Sequence, residues 1–237
     1  MGYPVMIKAA LGGGGKGMQA AHNEAELRAA IEAAQRIAAS AFGDASVYVE
    51  KLLERPRHIE VQVLGDGQGR AVHLFERECT LQRRHQKVVE EAPSAVLTTE
   101  QRALVTLAAV RLAEAVRYRG AGTVETLLTR AGQVYFLEMN TRLQVEHPVT
   151  ELITGVDLVR AQLEIAATGK LPFEQFGIKR HGHAIEARVY AEDAARGFLP
   201  QVGTAVRVRW PDGPFVRVDS GLESGDAVSV HYDPMLA

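Results

Sequence analysis

The chain has 237 residues, 46% hydrophobic and 24% charged, with a formal net charge of -2; that is enough for one large domain, or one domain and part of another, around an ordinary core. A near-neutral balance excludes bulk attraction to nucleic acid or to an anionic membrane surface, so basic clusters must act locally. The single cysteine, Cys79, excludes an internal disulfide and a cysteine-rich zinc site, no run reaches the roughly 20 apolar residues of a membrane span, and the N-terminus lacks signal-peptide regions, so the expected compartment is the cytoplasm.

In chain order, the pattern predicts a strand over 5–9, the loop Gly12-Gly13-Gly14-Gly15-Lys16-Gly17, and a helix over 24–41 whose start, Asn23 followed by Glu26, resembles a capping box. Short β-rich runs at 47–51, 58–64 and 71–75, with a turn at Gly65-Asp66-Gly67, should form one antiparallel sheet. A helix over 99–117, capped by Thr98, should bury a stripe of Leu104, Leu107, Ala108, Leu112 and Ala115. Strands at 123–128 and 134–139 follow, joined at Arg130-Ala131-Gly132, then a helix over 156–167. From His183 the pattern changes to short strands with Gly and Pro turns, such as 205–209 and 215–218, which places a boundary near Gly182 and divides the chain into 1–182 and 183–237. Residues 1–53 form the glycine-loop part of the first.

Glycines between a strand and a helix let backbone N–H groups cradle phosphate oxygens. The loop is not a Walker motif, because Met18 stands where a hydroxyl should follow the lysine; a plain hairpin tip is the alternative. Lys8, inside an apolar strand, needs an anionic partner, and phosphate is the obvious one. Glu125 on one strand, with Glu138 and Asn140 on the next, brings two carboxylates and an amide oxygen toward one cation, a donor set that suits Mg²⁺. The apolar run before Glu138 argues that this strand is buried on at least one face. Arg142, Gln144 and Glu146 alternate with Leu143 and Val145, so an extended backbone would aim all three at one small planar anion and its proton. Gln82, Arg83, Arg84, His85 and Lys87 form a basic patch without the interleaved aromatics that stack bases, which favours nucleotide phosphate or bicarbonate over RNA. His58 is evenly balanced between structure and function, and Cys79 reads as structural.

The strings G-Y-P-V-M-I-K-A, G-G-G-G-K-G-M, E-R-E-C-T-L-Q-R-R-H-Q-K-V-V-E-E-A-P and E-M-N-T-R-L-Q-V-E-H-P-V-T-E together resemble the biotin carboxylase component of biotin-dependent carboxylases, an ATP-grasp family, over nearly the whole chain. The resemblance implies an α+β fold, an ATP-grasp domain of antiparallel sheets and flanking helices followed by part of the biotin carboxylase C-terminal domain. It implies an enzyme that uses ATP with Mg²⁺ or Mn²⁺ to activate bicarbonate as carboxyphosphate and carboxylates N1 of biotin on a carrier domain. Lys8, Gly14, Gly15, Glu50, Lys51, Leu53, His58, Gln82 and His85 match positions that contact ATP, with Glu125 and Glu138. Glu125, Glu138 and Asn140 match the metal positions; Lys87, Arg142, Gln144 and Val145 match the bicarbonate site. Glu146 matches the base that deprotonates bicarbonate, and Arg188 the arginine on the biotin ureido oxygen, with Arg142 also stabilising the biotin enolate.

Implied partners are a biotin carboxyl carrier domain, a carboxyltransferase subunit and a second copy of the full-length protein, with no nucleic acid or membrane. The mitochondrial matrix is the expected compartment in a eukaryote. Family members carry an N-terminal domain ahead of the first strand here, so the resemblance implies a segment of a longer protein, at best weakly active alone. The motifs G-H-A-I-E-A-R-V-Y-A-E-D and R-G-F-L-P look most like α subunits of acyl-CoA carboxylases. The rivals are another ATP-grasp ligase, such as a carbamoyl-phosphate synthetase or pyruvate carboxylase domain, and a non-catalytic nucleotide-binding remnant.

Overall fold

The structure, a computed structural model, describes residues 1–12 and 17–237; the expectations placed on Gly14 and Gly15 lie outside the described residues. The chain divides into two compact units, Met1–Glu186 and Ala187–Ala237.

The first unit opens with a small sheet. Strand β1 (Val5–Ala9) pairs antiparallel with β2 (Gln19–Ala21) on one side and β3 (Val47–Lys51) on the other. Helix α1 (Glu24–Phe42) lies against it through Ala30, Ala34 and Ala38, whose spacing puts three methyl-sized side chains on one stripe and lets the helix approach closely. Asn23 caps α1 by accepting from the Glu26 N–H, but the Glu26 carboxylate reaches His22 N–H instead of closing the box. Strand 47–51 therefore belongs here and not with 58–64 and 71–75, a correction to the single sheet expected from the sequence. Two of its residues, Tyr48 and Val49, one on each face, remain exposed.

The large sheet is built from β4 (Arg57–Asp66), β5 (Ala71–Arg83), β6 (Gln86–Ala92), β7 (Arg119–Leu128), β8 (Val134–Asn140) and β9 (Ala184–Ala187), in the order β8-β7-β4-β5-β6-β9. β4 takes in Gly65 and Asp66 of the expected turn and leaves Gly67 outside it, and β5 continues eight residues past its expected end at Phe75. Period-2 alternation fails there because the β4–β5 ladder shifts register between Val61 and Val63, and Phe75 takes a positive φ of 64°. β6 went unread because its Val-Val-Glu-Glu core lacks alternation.

Two helices cover opposite faces of this sheet. α2 (Thr99–Ala115), closed by a full capping box of Thr98 and Gln101, packs on Ile59, Val61, Val63 and Val124. It buries Val105, Ala109 and Ala113, leaving Leu104 59% and Leu107 49% exposed, so the expected leucine stripe is rotated. Ala109 and Ala113 face the strands, where small side chains allow the closest approach, while Ala103, Ala108 and Ala115 stay exposed. α4 (Leu158–Thr168) packs on the other face against Leu64, Val72, Leu74 and Ala121. This second face is divided along the strands: beyond α4, the same side of β4 and β7 turns polar with His58, Glu60, Gln62, Thr123 and Glu125. α3 (His147–Thr154), with Pro148 in its first turn, packs on β5 and β6 beside that polar half.

In the second unit the ladders are two residues long: β10 (Glu192–Asp193) with β11 (Leu199–Pro200), and β12 (Gly203–Thr204) with β13 (Ala227–Val228). Segments 205–209 and 215–218 are not strands; the Val208 N–H goes to the Ser224 hydroxyl instead of a ladder partner, and Phe215 sits at φ 65° with its ring in solvent.

Candidate active site

The polar half of the sheet is organised as a rung across four strands. Arg77 on β5 is paired with Glu60 on β4, Glu60 with Glu125 on β7, and Glu125 with Glu138 on β8. The next rung holds Gln62, Thr123 and Asn140. All these side chains therefore point to the same face.

Lys87, on β6, reaches across to this rung. Its ammonium lies 2.5 Å from Glu60 Oε2, 2.8 Å from Glu125 Oε1 and 2.5 Å from Glu146 Oε1, with only 12% of the side chain exposed. Burial alone would push this ammonium toward neutrality, but Glu60, Glu146 and Glu125 outweigh it and hold its pKa above the ordinary lysine range. The expected exposed patch at 82–87 is thus divided: Arg84 and His85 form the exposed two-residue tip of the β5–β6 hairpin, while Lys87 is an interior cation.

Glu125 is the hub. Its Oε1 accepts from Lys87, from Asn140 Nδ2 at 2.8 Å and from Gln144 Nε2 at 3.0 Å. His58 Nε2 stands 2.8 Å from its Oε2, close enough for an ion pair but not aligned as a hydrogen bond. Burial pushes the Glu125 carboxyl up, yet His58 and Lys87 prevail and hold it down to about 2. Glu60 is shifted in the same direction: burial opposes ionisation, and Arg77 with Lys87 overcomes it. Asn140 Nδ2 also lies 3.4 Å from Glu138 Oε1, so the amide stands between the two carboxylates, but it turns its NH₂ toward them and not the oxygen expected from the sequence. The strand that carries Glu138 and Asn140 is not buried, however. β8 is the edge of the sheet and Phe136 is 62% exposed.

Residues 141–146 are a loop and turn leading into α3, not an extended strand. Gln144 and Glu146 are brought into the cluster by that turn, with Glu146 standing at the N-cap of α3. Arg142 stays exposed at the rim, its Nη1 donating to Leu143 O, and Val145 is exposed. The structure therefore brings together Lys87, Gln144, Glu146 and Glu125 but not the three alternating side chains as a set.

The remaining nucleotide candidates form two local groups. Lys8 does find an anionic partner, but it is Glu50 Oε2 at 2.5 Å on the neighbouring strand. Lys51 points away from that pair and donates to Gly2 O and Tyr3 O; Leu53 follows in the connection to β4. On the large sheet Gln82 Nε2 contacts His58 Nδ1 at 3.1 Å and donates to Cys79 O. Arg188 lies in the second unit, half-buried.

Two members of the cluster were missed in the sequence. Glu60 and Arg77 are both fully buried, with Arg77 Nε donating to Glu60 Oε1 at 2.7 Å. The His58-Ile59-Glu60-Val61-Gln62 alternation reads as an ordinary solvent face, and nothing local signals that α3 and β6 cover it. Cys79 is buried next to the same carboxylates, and burial pushes its thiol well up, in keeping with a structural role.

Counting Glu138, four carboxylates face two cations, Lys87 and Arg77. Such an excess of negative charge, with carboxylate oxygens of Glu125 and Glu138 on either side of the Asn140 amide, is chemistry that a hard divalent cation suits once the amide turns its oxygen inward. A small antiparallel sheet, followed by a large one whose polar half presents these groups, defines an ATP-grasp domain. Residues 1–174 match the family described as "Carbamoyl-phosphate synthase L chain, ATP binding domain", and residues 186–237 match "Biotin carboxylase C-terminal domain". The chain belongs to that ATP-binding family, in its biotin carboxylase branch.

Among curated relatives it is 53% identical over 238 residues to the mitochondrial methylcrotonoyl-CoA carboxylase subunit alpha of Mus musculus, covering all of this chain and 33% of that protein. It is also 53% identical to biotin carboxylase 2 of Bacillus subtilis, covering all of this chain and 53% of that one. The chain thus spans about a third to a half of these relatives. The biotin carboxylase domain dimer of Hydrogenobacter thermophilus 2-oxoglutarate carboxylase, solved with MgADP, ADP and bicarbonate, superposes with a TM-score of 0.96 at 47% identity over 99% of this chain and 52% of that one. The Campylobacter jejuni biotin carboxylase in complex with β,γ-ATP gives 0.95 at 44% identity, over 99% of this chain and 52% of that one.

Proposed function

We propose that this chain supplies the ATP-dependent carboxylation of biotin. Bicarbonate and MgATP give carboxyphosphate and ADP, and the carboxyl group then passes to N1 of carrier-bound biotin as phosphate leaves. The observation that carries this reading is Lys87 seated between Glu146 and Glu125 beside Gln144, a cation, a carboxylate base and an amide donor arranged for a small oxyanion.

In this reading Glu146 takes the bicarbonate proton. Lys87 and Gln144 hold the anion with Arg142 and the backbone near Val145, and Arg142, exposed at the rim, reaches an incoming ligand without giving up a buried partner. Glu125, Glu138 and Asn140 hold Mg²⁺ or Mn²⁺, which supplies charge neutralisation on the transferring phosphoryl group when bound. Lys8, Glu50, Lys51, Leu53, His58, Gln82 and His85, with Gly14 and Gly15, contact the nucleotide. Arg188 holds the biotin ureido oxygen, and Arg142 stabilises the biotin enolate. The domain roles follow the family pattern: 1–182 as the ATP-grasp part and 183–237 as part of the C-terminal domain.

The partners proposed are a biotin carboxyl carrier domain, a carboxyltransferase subunit and a second copy of the full-length protein. Among the described residues no helix is long and apolar enough to cross a membrane; we place the protein in the cytoplasm, or in the mitochondrial matrix of a eukaryote. The acyl acceptor is chosen by the carboxyltransferase. A second reading, an ATP-grasp ligase that does not use biotin, is favoured by the description of the first family match alone; the biotin carboxylase match over 186–237 argues against it.

The test is fixation of labelled bicarbonate onto free biotin with MgATP. It compares this chain, a version extended at both ends with the flanking segments of a full-length relative, and Glu146→Ala in the extended version. Fixation by the extended version that disappears in the mutant supports the proposal. Nucleotide binding and ATP cleavage without any biotin dependence would overturn it in favour of another ligase.

A further inference from the structure

Arg77 is the most heavily engaged side chain in the cluster, and none of the roles above falls to it. It is fully buried, and its guanidinium donates to Glu60 Oε1 at 2.7 Å, Gln62 Oε1 at 2.7 Å, Thr150 Oγ1 at 3.0 Å and Thr123 Oγ1 at 3.2 Å, with a longer contact of 3.5 Å to Gln144 Oε1. These acceptors come from β4, β7, α3 and the loop before α3, so one planar fork joins the sheet to the helix that begins just after Glu146.

A guanidinium has donors and no acceptor. Any amide that meets it must therefore present its oxygen and turn its NH₂ away. Gln62 obeys, sending its NH₂ to Gly122 O at 2.9 Å. Gln144 obeys as well, and its NH₂ is thereby aimed at Glu125 Oε1. Without Arg77 the Gln144 amide could flip, and an oxygen would then confront the Glu125 carboxylate. The Thr150 contact acts on the same region from the other side: Thr150 lies one helical turn beyond Glu146 on α3, so tying its hydroxyl to Arg77 fixes the entry of that helix over the site.

We propose that Arg77 is a positioning residue for the bicarbonate half of the site, acting through the orientation of the Gln144 amide and the seating of α3. This rests on reading Gln144 and Glu146 as bicarbonate residues. Arg77 donates to none of Lys8, His58 and Gln82; because Gln144 links it to Glu125, which is also read as a metal residue, the nucleotide side is tested with ADP free of Mg²⁺.

The experiment uses the extended protein and reads bicarbonate-dependent ATP cleavage together with nucleotide affinity. Arg77→Lys keeps the positive charge against Glu60 and loses the fork. The expected result is a rise of about tenfold in KM for bicarbonate with the affinity for ADP, measured without Mg²⁺, held within about twofold. Because the effect passes through Gln144, it should shrink to less than about twofold when Arg77→Lys is placed in a Gln144→Ala background. An equal rise in both backgrounds, or a parallel loss of affinity for ADP without Mg²⁺, overturns the proposal and leaves Arg77 as fold support. Should Arg77→Lys not fold, Thr150→Val removes one acceptor while leaving the buried charge pair whole; a rise of about threefold in KM for bicarbonate that vanishes in the Gln144→Ala background supports the proposal, and no change sinks it. Absence of bicarbonate-dependent cleavage in the parent protein is a different failure, and it falls on the proposed function.

Discussion

Glu60 and Glu125 stand directly opposite each other on neighbouring strands, and the Lys87 ammonium touches both, at 2.5 and 2.8 Å. Like charges at a cross-strand pair repel; here a cation from a third strand makes the pair tenable. Replacing Lys87 by Met should therefore do two things. Turnover should fall by at least about 100-fold, as on removal of a preorganised electrostatic group, and stability at neutral pH should fall by about 3 kcal/mol because the carboxylates are left uncompensated. The stability loss, measured by urea unfolding, should shrink below about pH 5 as the carboxylates take up protons; a pH-independent loss would mean that packing and not charge is responsible.

The depressed carboxylates set an acid limit. A group whose pKa is lowered on folding contributes stability above its unfolded value and loses it as pH falls toward the folded one. For Glu125 that window runs from 4.5 down to about 2, and Glu60 is lowered in the same direction. Lys87 has the opposite sign: its contribution is complete below 10.5 and is lost only as pH rises beyond that. Unfolding free energy should therefore be level through neutrality with respect to these groups and fall steeply below about pH 4.5, with Glu125 accounting for on the order of 3 kcal/mol. In Glu125→Gln the protein should be weaker at pH 7 and its slope between pH 4.5 and 2 visibly flatter. An unchanged slope would show that Glu125 is not held down.

Two glycines beside Tyr118 should respond differently to the same added methyl. A Cβ at Gly122 would meet the Tyr118 ring at 2.8 Å, whereas one at Gly65 would run into the Tyr118 carbonyl. Gly65→Ala should destabilise by about 3 kcal/mol or more, with no relief from shortening Tyr118; Gly122→Ala should cost less and be largely restored by Tyr118→Leu. Thermal unfolding of the two pairs settles the distinction, and restoration of Gly65→Ala by Tyr118→Leu would contradict it.

The α2 capping box offers a test away from the charged cluster. Thr98 accepts from the Gln101 N–H while the Gln101 side chain accepts from the Thr98 N–H. Thr98→Ala should lower stability by about 1 kcal/mol and leave KM for bicarbonate unchanged. A kinetic effect would mean that α2 communicates with the opposite face of the sheet.

Local chemistry was legible where it depends on residue type and short spacing. Strand 5–9, the caps at Asn23 and Thr98 and the meeting of Glu125, Glu138 and Asn140 are all set by neighbours within one or two turns or one hairpin. What the sequence left hidden is long-range. Glu60 and Arg77 sit on strands whose polar face is covered only when β6 and α3 return to it, and the partner of Lys8 is on a strand some 40 residues on. Period-2 counting also misread 142–146 as extended, because Gln144 and Glu146 turn inward through a helix entry and not through strand alternation.

The hairpin that delivers Lys87 has a tip of two residues, Arg84 and His85, both at positive φ, 52° and 65°, as the tight mirror-image turns between twisted strands require. Gln82 and Lys87 are opposite each other just below it. Residues opposite each other in a ladder share a face, so this pairing is what puts the ammonium on the carboxylate side of the sheet. A slip of β6 along β5 by one residue would turn it to the α2 side and leave Glu60, Glu125 and Glu146 facing one another without it. The tight tip thus works as a clamp on register, and the charge balance of the buried cluster depends on the turn chemistry of two solvent-exposed residues that touch none of it.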